Sequence, residues 1–305
     1  MATLALYTTV YPGVEAYLAD WYRSLRLQTD RDFQLWVGLD TLSVQAAEEA
    51  MGGDPDAIWV PAQDGDSPAT IRQRALARII EDHDQVVLVD SDDIMHASRV
   101  AAARASLEAS DLAGCALRLV NERGESLDMT FKLPADTIPD DVFPDTNAFG
   151  LSNTAYRSSL LRQCLPIPAD VALVDWYLST RAWLLGARLA FDAHVAMDYR
   201  QHRTNMARVL GPFHEGRVIQ DTKLVRQHFR LLGAAPIRGA LPHRLAEVEH
   251  AAADIEAFYA CVVLRPEILA RYLRALNELS SPFLWWSWVA NPLLRHMWTT
   301  GKEVM

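Results

Sequence analysis

The sequence predicts an α/β fold: a mixed, mainly parallel sheet flanked by helices, with a helical C-terminal extension. Three observations predict it. Strand-like and helix-like segments alternate through the first half in the order β, α, β, α, β, α, β, the rhythm that crossover helices impose on a parallel sheet. The run Val86 to Val89 is apolar throughout and bounded by charges, as in a strand buried on both faces. From about Pro212 onward the pattern is helical, with no strand alternation.

In chain order, Leu4 to Val10 reads as the first strand. After Pro12-Gly13, the apolar positions Val14, Tyr17, Leu18, Trp21 and Leu25 fall on one face of a helix that covers the sheet. Phe33 to Leu39 is the second strand, ending at Asp40; Ser43 to Met51 is a short helix closed by Gly52-Gly53, and Ile58 to Pro61 is a third strand. Ser67 offers a capping hydroxyl and Pro68 a first-turn proline to a helix through Ile80 that carries Arg72, Arg74 and Arg78. Val86 to Val89 then delivers Asp90 to the C-terminal edge of the sheet. Ligands bind at that edge in open α/β folds, because loops there are free of packing duties while the strand ends hold them rigidly. A helix His96 to Ala109 follows, then a strand Ala113 to Val120 and a turn Asn121 to Gly124 into another strand. The proline-rich run Leu133 to Pro144 reads as a loop. Ala155 to Gln163 and Asp175 to Leu185 read as helices, and Leu189 to Met197 as a strand leading to Tyr199-Arg200-Gln201-His202.

Charge and cysteine usage restrict the function classes. The net charge of −10 leaves no basic stripe to neutralise phosphates along a nucleic acid, so DNA and RNA are excluded as main partners. A small anionic ligand has to be met locally, by a metal ion, a few arginines or a helix N-terminus. Cys115, Cys164 and Cys261 lie far apart without paired spacing, which fits neither a zinc site nor a disulfide framework and suits a reducing, cytoplasmic setting. The N-terminus lacks the pattern of a signal peptide, and no apolar run approaches the ~20 residues of a membrane-spanning helix.

The string VVLVDSDD, residues 86 to 93, is the most informative. Two carboxylates one residue apart at a strand end can point into one pocket, and hard oxygen ligands of this kind suit Mg²⁺ or Mn²⁺ bridging a diphosphate. Aspartate and serine also end strands for structural reasons alone, and both readings stand at this point.

The context of that string resembles the family 2 glycosyltransferases of the GT-A type. Members open with a strand leading to a threonine-containing loop, place an aspartate after the second strand, carry an arginine-bearing helix and then an aspartate-x-aspartate sequence. The corresponding stations look like Thr8-Thr9-Val10-Tyr11, Asp40, Arg72 and Asp90-Ser91-Asp92, in the same order. Residues 174 to 206 continue the likeness, which thus spans residues 3 to about 206: an acidic position, an arginine-bearing helix, a glycine, a strand and a tyrosine-arginine-x-histidine sequence.

By that resemblance Thr8, Thr9 and Tyr11 line the nucleobase pocket, Asp40 accepts a hydrogen bond from the base, and Arg72 approaches the uridine or diphosphate. Asp90, with Ser91 beside it, contacts ribose, while Asp92 and His202 hold the metal, Mn²⁺ or Mg²⁺, and Arg200 meets phosphate. Asp175 is the general base that takes the acceptor hydroxyl proton, needed because an alcohol is a poor nucleophile. Val174 stands where the family has a glutamate, and Arg203 and Thr204 stand where a glycine is common, two departures that bear on base tuning and on the active-site lid. Asn153 resembles part of an acceptor-side loop; Trp176, read from the residue alone, is either an apolar face for a sugar ring or a core tryptophan on its helix.

The resemblance further implies a GT-A catalytic domain over residues 1–211, made of a nucleotide-binding half (1–110) and an acceptor-side half (111–211), ahead of a helical region over 212–305. The aromatic segment 283–298 has two readings: a helix packed on the catalytic domain or on a second subunit, and peripheral membrane contact, since tryptophan favours the headgroup region. The expected activity is inverting transfer of a sugar from a nucleotide diphosphate, UDP in the first instance, to the hydroxyl of a glycan or other acceptor. Two rivals remain at this stage. A sugar nucleotidyltransferase calls for a glycine-rich, basic phosphate loop, which Tyr7 to Gly13 lacks. A non-catalytic sugar-nucleotide-binding protein on the same fold is kept open by Val174.

Overall fold

A computed structural model of the chain describes residues 2–299, residues 204, 236 and 281 apart. Its first half follows the expected order. β1 (Leu4–Val10) is buried along its whole length, because it lies between two parallel neighbours. β2 (Gln34–Leu39) runs beside it with Thr9 level with Gly38, and β3 (Ala57–Pro61) extends the sheet beyond β2. On the other side of β1 lies β4 (Gln85–Leu88), the strand that leads into the acidic string. The crossovers are α1 (Glu15–Arg26), α2 (Val44–Met51) and α3 (Pro68–Asp82). Ser43 and Ser67 cap α2 and α3 by accepting from the backbone N–H of Ala46 at 3.1 Å and of Thr70 at 3.2 Å, contacts worth about 1 kcal/mol each. Gly52, at φ +79°, closes α2 in the left-handed conformation that a side chain would resist.

The second half turns the sheet back on itself. β5 (Ile94–Met95), α4 (Arg99–Ala109), β6 (Leu112–Val120), β7 (Ser126–Phe131), β8 (Thr154–Arg157), α5 (Ser158–Cys164), α6 (Val174–Leu184) and β9 (Leu189–Arg200) follow in that order. The strand order is β3-β2-β1-β4-β8-β6-β9-β5, with β7 paired to β6. β8 enters antiparallel between β4 and β6, so strand direction reverses beside the end of β4. In the parallel part the strand order switches at β1, which lies between β2 and β4; such a switch point opens a crevice at the strand ends, and the acidic string lies there.

Three local expectations give way to tertiary contacts. The segment read as a helix from His96 starts as a helix only at Arg99, because Ile94 and Met95 pair with Asp198 and Met197 of β9 and the His96 N–H donates to the Ala196 carbonyl at 3.0 Å. The segment Ala155 to Gln163 begins as β8, since the fully buried Ala155 and Tyr156 complete the sheet, and turns helical at Ser158. Residues 283–289 form no helix. They make an irregular strap whose Trp285 pairs with Asn147 in a single antiparallel bridge.

The remaining helices are α7 (Glu215–Ala234), α8 (Pro242–Phe258), which runs on into a π-helical turn at Tyr259–Val263, α9 (Pro266–Asn277) and the short α10 (His296–Thr299). Trp285, Trp286, Trp288 and Trp298 are all buried within the chain, so the tryptophans that suggested contact with a membrane interface are spent on internal packing. No helix among the described residues is long and apolar enough to cross a membrane.

Candidate active site

The end of β4 brings three carboxylates together. One oxygen each from Asp90, Asp92 and Asp93 lies within 4.8 Å of the others. The backbone enforces this crowding. Ser91 points inward and donates to the Thr9 carbonyl at 2.7 Å, which ties the turn to β1. The Tyr11 hydroxyl donates to Asp92 Oδ2 at 3.1 Å, and His202 Nε2 lies 2.9 Å from the same oxygen. Ser152 donates to Asp93 through a short hydrogen bond and accepts from the Asp90 N–H at 3.1 Å.

Burial, reinforced by the neighbouring Asp92 charge, pushes the Asp90 carboxyl up to about 7, with Arg72 pulling the other way. The same two causes hold Asp93 well above the usual carboxylate range. Like charges forced together at a cavity wall form a hard-oxygen donor set, and a divalent cation of the Mg²⁺ or Mn²⁺ type suits that chemistry.

Arg200 fixes the turn from behind. It is 1% exposed, so its charge must be met inside the protein. Its Nε donates to the Asp92 carbonyl at 2.7 Å and its Nη1 to the Glu122 carbonyl at 2.8 Å, while Nη2 lies 3.3 Å from Asp20 Oδ2. Its guanidinium also lies over the Tyr17 ring, which in turn stacks with His202. The Arg200 N–H donates to Asp93 Oδ1 at 2.7 Å.

Asp90 and Asp92 face a cavity of about 440 Å³. On the side of the first half it is lined by Thr9, Tyr11, Pro12, Asp40, Pro68 and Arg72. Arg72 comes from the second turn of α3 and makes no ion pair or hydrogen bond among the described residues, although it lies close enough to Asp90 and Asp175 to lower both of their pKa values. The rest of the lining includes Gly150 to Ser152, Asp175, Tyr199, the two tryptophans Trp285 and Trp286, and Asn205 to Ala207.

Asp175 stands in the first turn of α6, where the helix dipole favours a negative charge. Asn147 donates to its Oδ2 at 3.1 Å, and the Trp176 N–H bonds it as well. Burial outweighs these contacts and pushes the carboxyl up to about 6. A carboxylate poised near neutral pH, facing the same cavity as a metal-type acidic cluster and a free arginine, has the properties of a general base.

Solved structures with the same architecture support this reading of the fold. S. aureus TarS 1–349 matches at 17% identity with a TM-score of 0.59, over 90% of this chain and 79% of that one. The same protein in complex with UDP-GlcNAc matches at 15% identity and a TM-score of 0.57, over 89% of this chain and 78% of that one. The mannosyltransferase PcManGT from Pyrobaculum calidifontis, in complex with GDP-Man and Mn²⁺, matches at 17% identity and a TM-score of 0.57, over 92% and 77%. The chain has the GT-A fold. No protein-family model and no curated protein sequence matches it.

Within the GT-A frame the expected site residues divide into two groups. Thr9, Tyr11, Asp40, Arg72, Asp90, Asp92 and Asp175 all line the cavity, although Tyr11 spends its hydroxyl on Asp92. His202 touches Asp92 from behind and is 8% exposed. The others are placed elsewhere. Arg200 cannot reach a phosphate as placed, because its guanidinium is occupied behind the acidic turn. Thr8, on the face of β1 opposite Thr9, and Ser91 are buried at 1% and 0% exposure. Asn153 is fully buried and holds the 148–153 turn through Gly150 N–H and the carbonyls of Ala148 and Cys115. Trp176 is fully buried and stacks on His228 at 4.2 Å, so it offers no face to a sugar. Thr204 lies outside the described residues.

Sequence reasoning missed Asp93, Asn147, Ser152, Tyr199, Trp285 and Trp286. Asp93 was visible in the acidic string, and the two tryptophans in the aromatic run. Tyr199 was visible in the tyrosine-arginine-x-histidine sequence; Asn147 and Ser152 carry no local signal, since their partners are distant in the chain.

Proposed function

We propose that the chain is an inverting, family 2-like glycosyltransferase that moves a sugar from a nucleotide diphosphate donor, UDP-linked in the first instance, to an acceptor hydroxyl. One observation carries the proposal: the acidic cluster, Arg72 and a carboxyl held at about 6 converge on a single cavity beside the reversal of strand direction. In this reading Thr9, Tyr11 and Asp40 take the base, Asp90 the ribose, and Arg72 the diphosphate. Asp92, with His202 against it, would hold Mn²⁺ or Mg²⁺, and a divalent cation there would offset the charge that develops on the departing diphosphate. Asp175 accepts the proton of the attacking hydroxyl, and its dry surroundings keep it basic enough at neutral pH. The catalytic unit corresponds to residues 1–211, with the helical region 212–305 contributing the strap to the cavity wall.

Val174 is 3% exposed and lines the cavity beside Asp175, so an apolar wall replaces the acidic neighbour found in the family. That wall raises the Asp175 pKa by desolvation, the direction a second carboxylate would also have given. The proposal is tested by offering UDP-linked and GDP-linked sugars with Mn²⁺ and measuring release of the nucleoside diphosphate. Release by the native protein and a loss of at least 100-fold in Asp175→Asn support it; tight binding of a nucleotide sugar without turnover points to the binding-protein alternative.

A further inference from the structure

Among the described residues, one side chain hydrogen-bonds the Asp175 carboxyl: Asn147, whose Nδ2 donates to Oδ2 at 3.1 Å. The other bonds to this carboxyl come from backbone N–H groups at the start of α6. Arg72 of α3, Asp90 at the end of β4 and Tyr156 of β8 act on Asp175, or are acted on by it, through charge alone.

The orientation of the Asn147 amide is dictated by its neighbours. Its Oδ1 accepts from the Phe149 N–H at 2.9 Å, and its Nδ2 donates to the Phe149 carbonyl at 3.1 Å. A backbone N–H only donates and a carbonyl only accepts, so exchanging the amide oxygen and nitrogen would set like against like at both contacts, and at Asp175 as well. Ser179 of α6 adds a second donor to Oδ1 at 3.3 Å. Both Nδ2 hydrogens are then placed, one on the Phe149 carbonyl and one on the carboxylate. An ionised aspartate at position 147 could still take the Phe149 N–H, but it would have no hydrogen for either of the other two partners.

The backbone of Asn147 is held just as firmly. Its N–H donates to the Trp285 carbonyl at 3.1 Å and its carbonyl accepts from the Trp285 N–H at 3.0 Å, which ties it to the strap. Asn147 thus joins α6, the turn at Phe149 and the C-terminal strap at one fully buried point. It does not line the cavity itself, so any effect it has on a bound substrate passes through Asp175.

We infer that Asn147 is the positioning residue of the base: its amide fixes the rotation of the Asp175 carboxylate about the Cβ–Cγ bond and favours the ionised form that takes the acceptor proton. A hydrogen bond donated to a carboxylate stabilises the charged state over the acid, and here it opposes the burial that works the other way. The inference rests on the glycosyltransferase reading of the same cavity.

The test follows kcat/KM for release of the nucleoside diphosphate against pH, in the full chain with Mn²⁺ and the nucleotide sugar that the native protein turns over, for Asn147→Ala and Asn147→Asp. Alanine removes the donor; aspartate keeps the pairing with the Phe149 N–H and sets a second carboxyl against Asp175. Expected in both is a rise of about one unit in the midpoint of the profile, so that kcat/KM falls about tenfold more at pH 5 than at pH 8, with UDP affinity within about twofold of the native value. A residue that only fills its turn lowers activity, UDP affinity and stability alike at every pH and leaves the midpoint in place; that result overturns the inference while the function stands. If the native protein turns over no nucleotide sugar, the functional reading falls and the positioning role with it. If neither variant folds, the native protein labelled with ¹⁵N-asparagine decides. One side-chain amide signal is expected to shift with a midpoint of about 6, that of the Asp175 carboxyl, and to stay fixed in Asp175→Asn. The absence of any such signal overturns the inference.

Discussion

Replacing Asp175 with asparagine should make the protein both inactive and more stable, a combination that follows from one number. Holding this carboxyl at about 6 rather than its usual 3.8 corresponds to ~3 kcal/mol against the charged form, and solvent reaching the group through the cavity mouth reduces the net figure to ~1–2 kcal/mol. The folded-state pKa is raised, so the unfolded chain gives up this proton first. Stability therefore falls as pH rises from about 4 to about 6, and the full cost is carried above that range. Asparagine cannot ionise, and its carbonyl can still accept from Asn147. Urea unfolding at pH 7.5 should show Asp175→Asn ~1–2 kcal/mol more stable than the native protein, with the difference shrinking towards zero near pH 4. Transfer activity should fall by about 10²- to 10⁴-fold, and in the native protein kcat/KM should rise with pH through about 6 and then level off. A variant that is less stable at pH 7.5, or that retains activity within tenfold, refutes the assignment of Asp175 as a desolvated base.

Three further outcomes follow from the site. Mn²⁺ should raise the Tm of the native protein and not that of Asp92→Ala; because burial and the Asp92 charge push the Asp90 carboxyl up to about 7, binding should release protons and tighten from pH 6 to pH 8, as calorimetry in buffers of different ionisation enthalpy will show. Arg72→Ala should weaken UDP binding about 10- to 100-fold, the ~1.4–2.7 kcal/mol expected for a charge-assisted contact to phosphate, with little change in stability. Arg200→Met should instead cost ~2–3 kcal/mol in urea unfolding, since it strips partners from the Asp92 and Glu122 carbonyls, and a variant as stable as the native protein would show that the acidic turn does not depend on this pillar.

Much of the first half could be read from local chemistry. Ser43, Ser67 and Gly52 mark helix ends whose physics is contained in four residues, and the apolar run Val86 to Val89 could only be a covered strand. The antiparallel β8 was missed because Ala155 and Tyr156 carry no strand signal of their own; they are strand because β4 and β6 leave a gap that an extended segment fills. The strap was misread as a helix for a related reason: its aromatic residues are compatible with a helix, and the bridge to Asn147 that prevents one joins residues 138 positions apart. Among site residues, those on the edge of the parallel strands were legible because strand ends dictate direction. Arg200 and Trp176 were misassigned because residue type reveals chemistry but not which side of an element faces the cavity.

The account rests on the acidic turn gripping a divalent cation within reach of Arg72, in one cavity with Asp175. Anomalous diffraction from crystals grown with Mn²⁺ and UDP tests this directly. The account predicts a manganese peak in coordinating contact with Asp92, with the diphosphate between it and Arg72. A UDP molecule bound elsewhere, or a manganese peak that leaves Asp90 and Asp92 without contact, contradicts it.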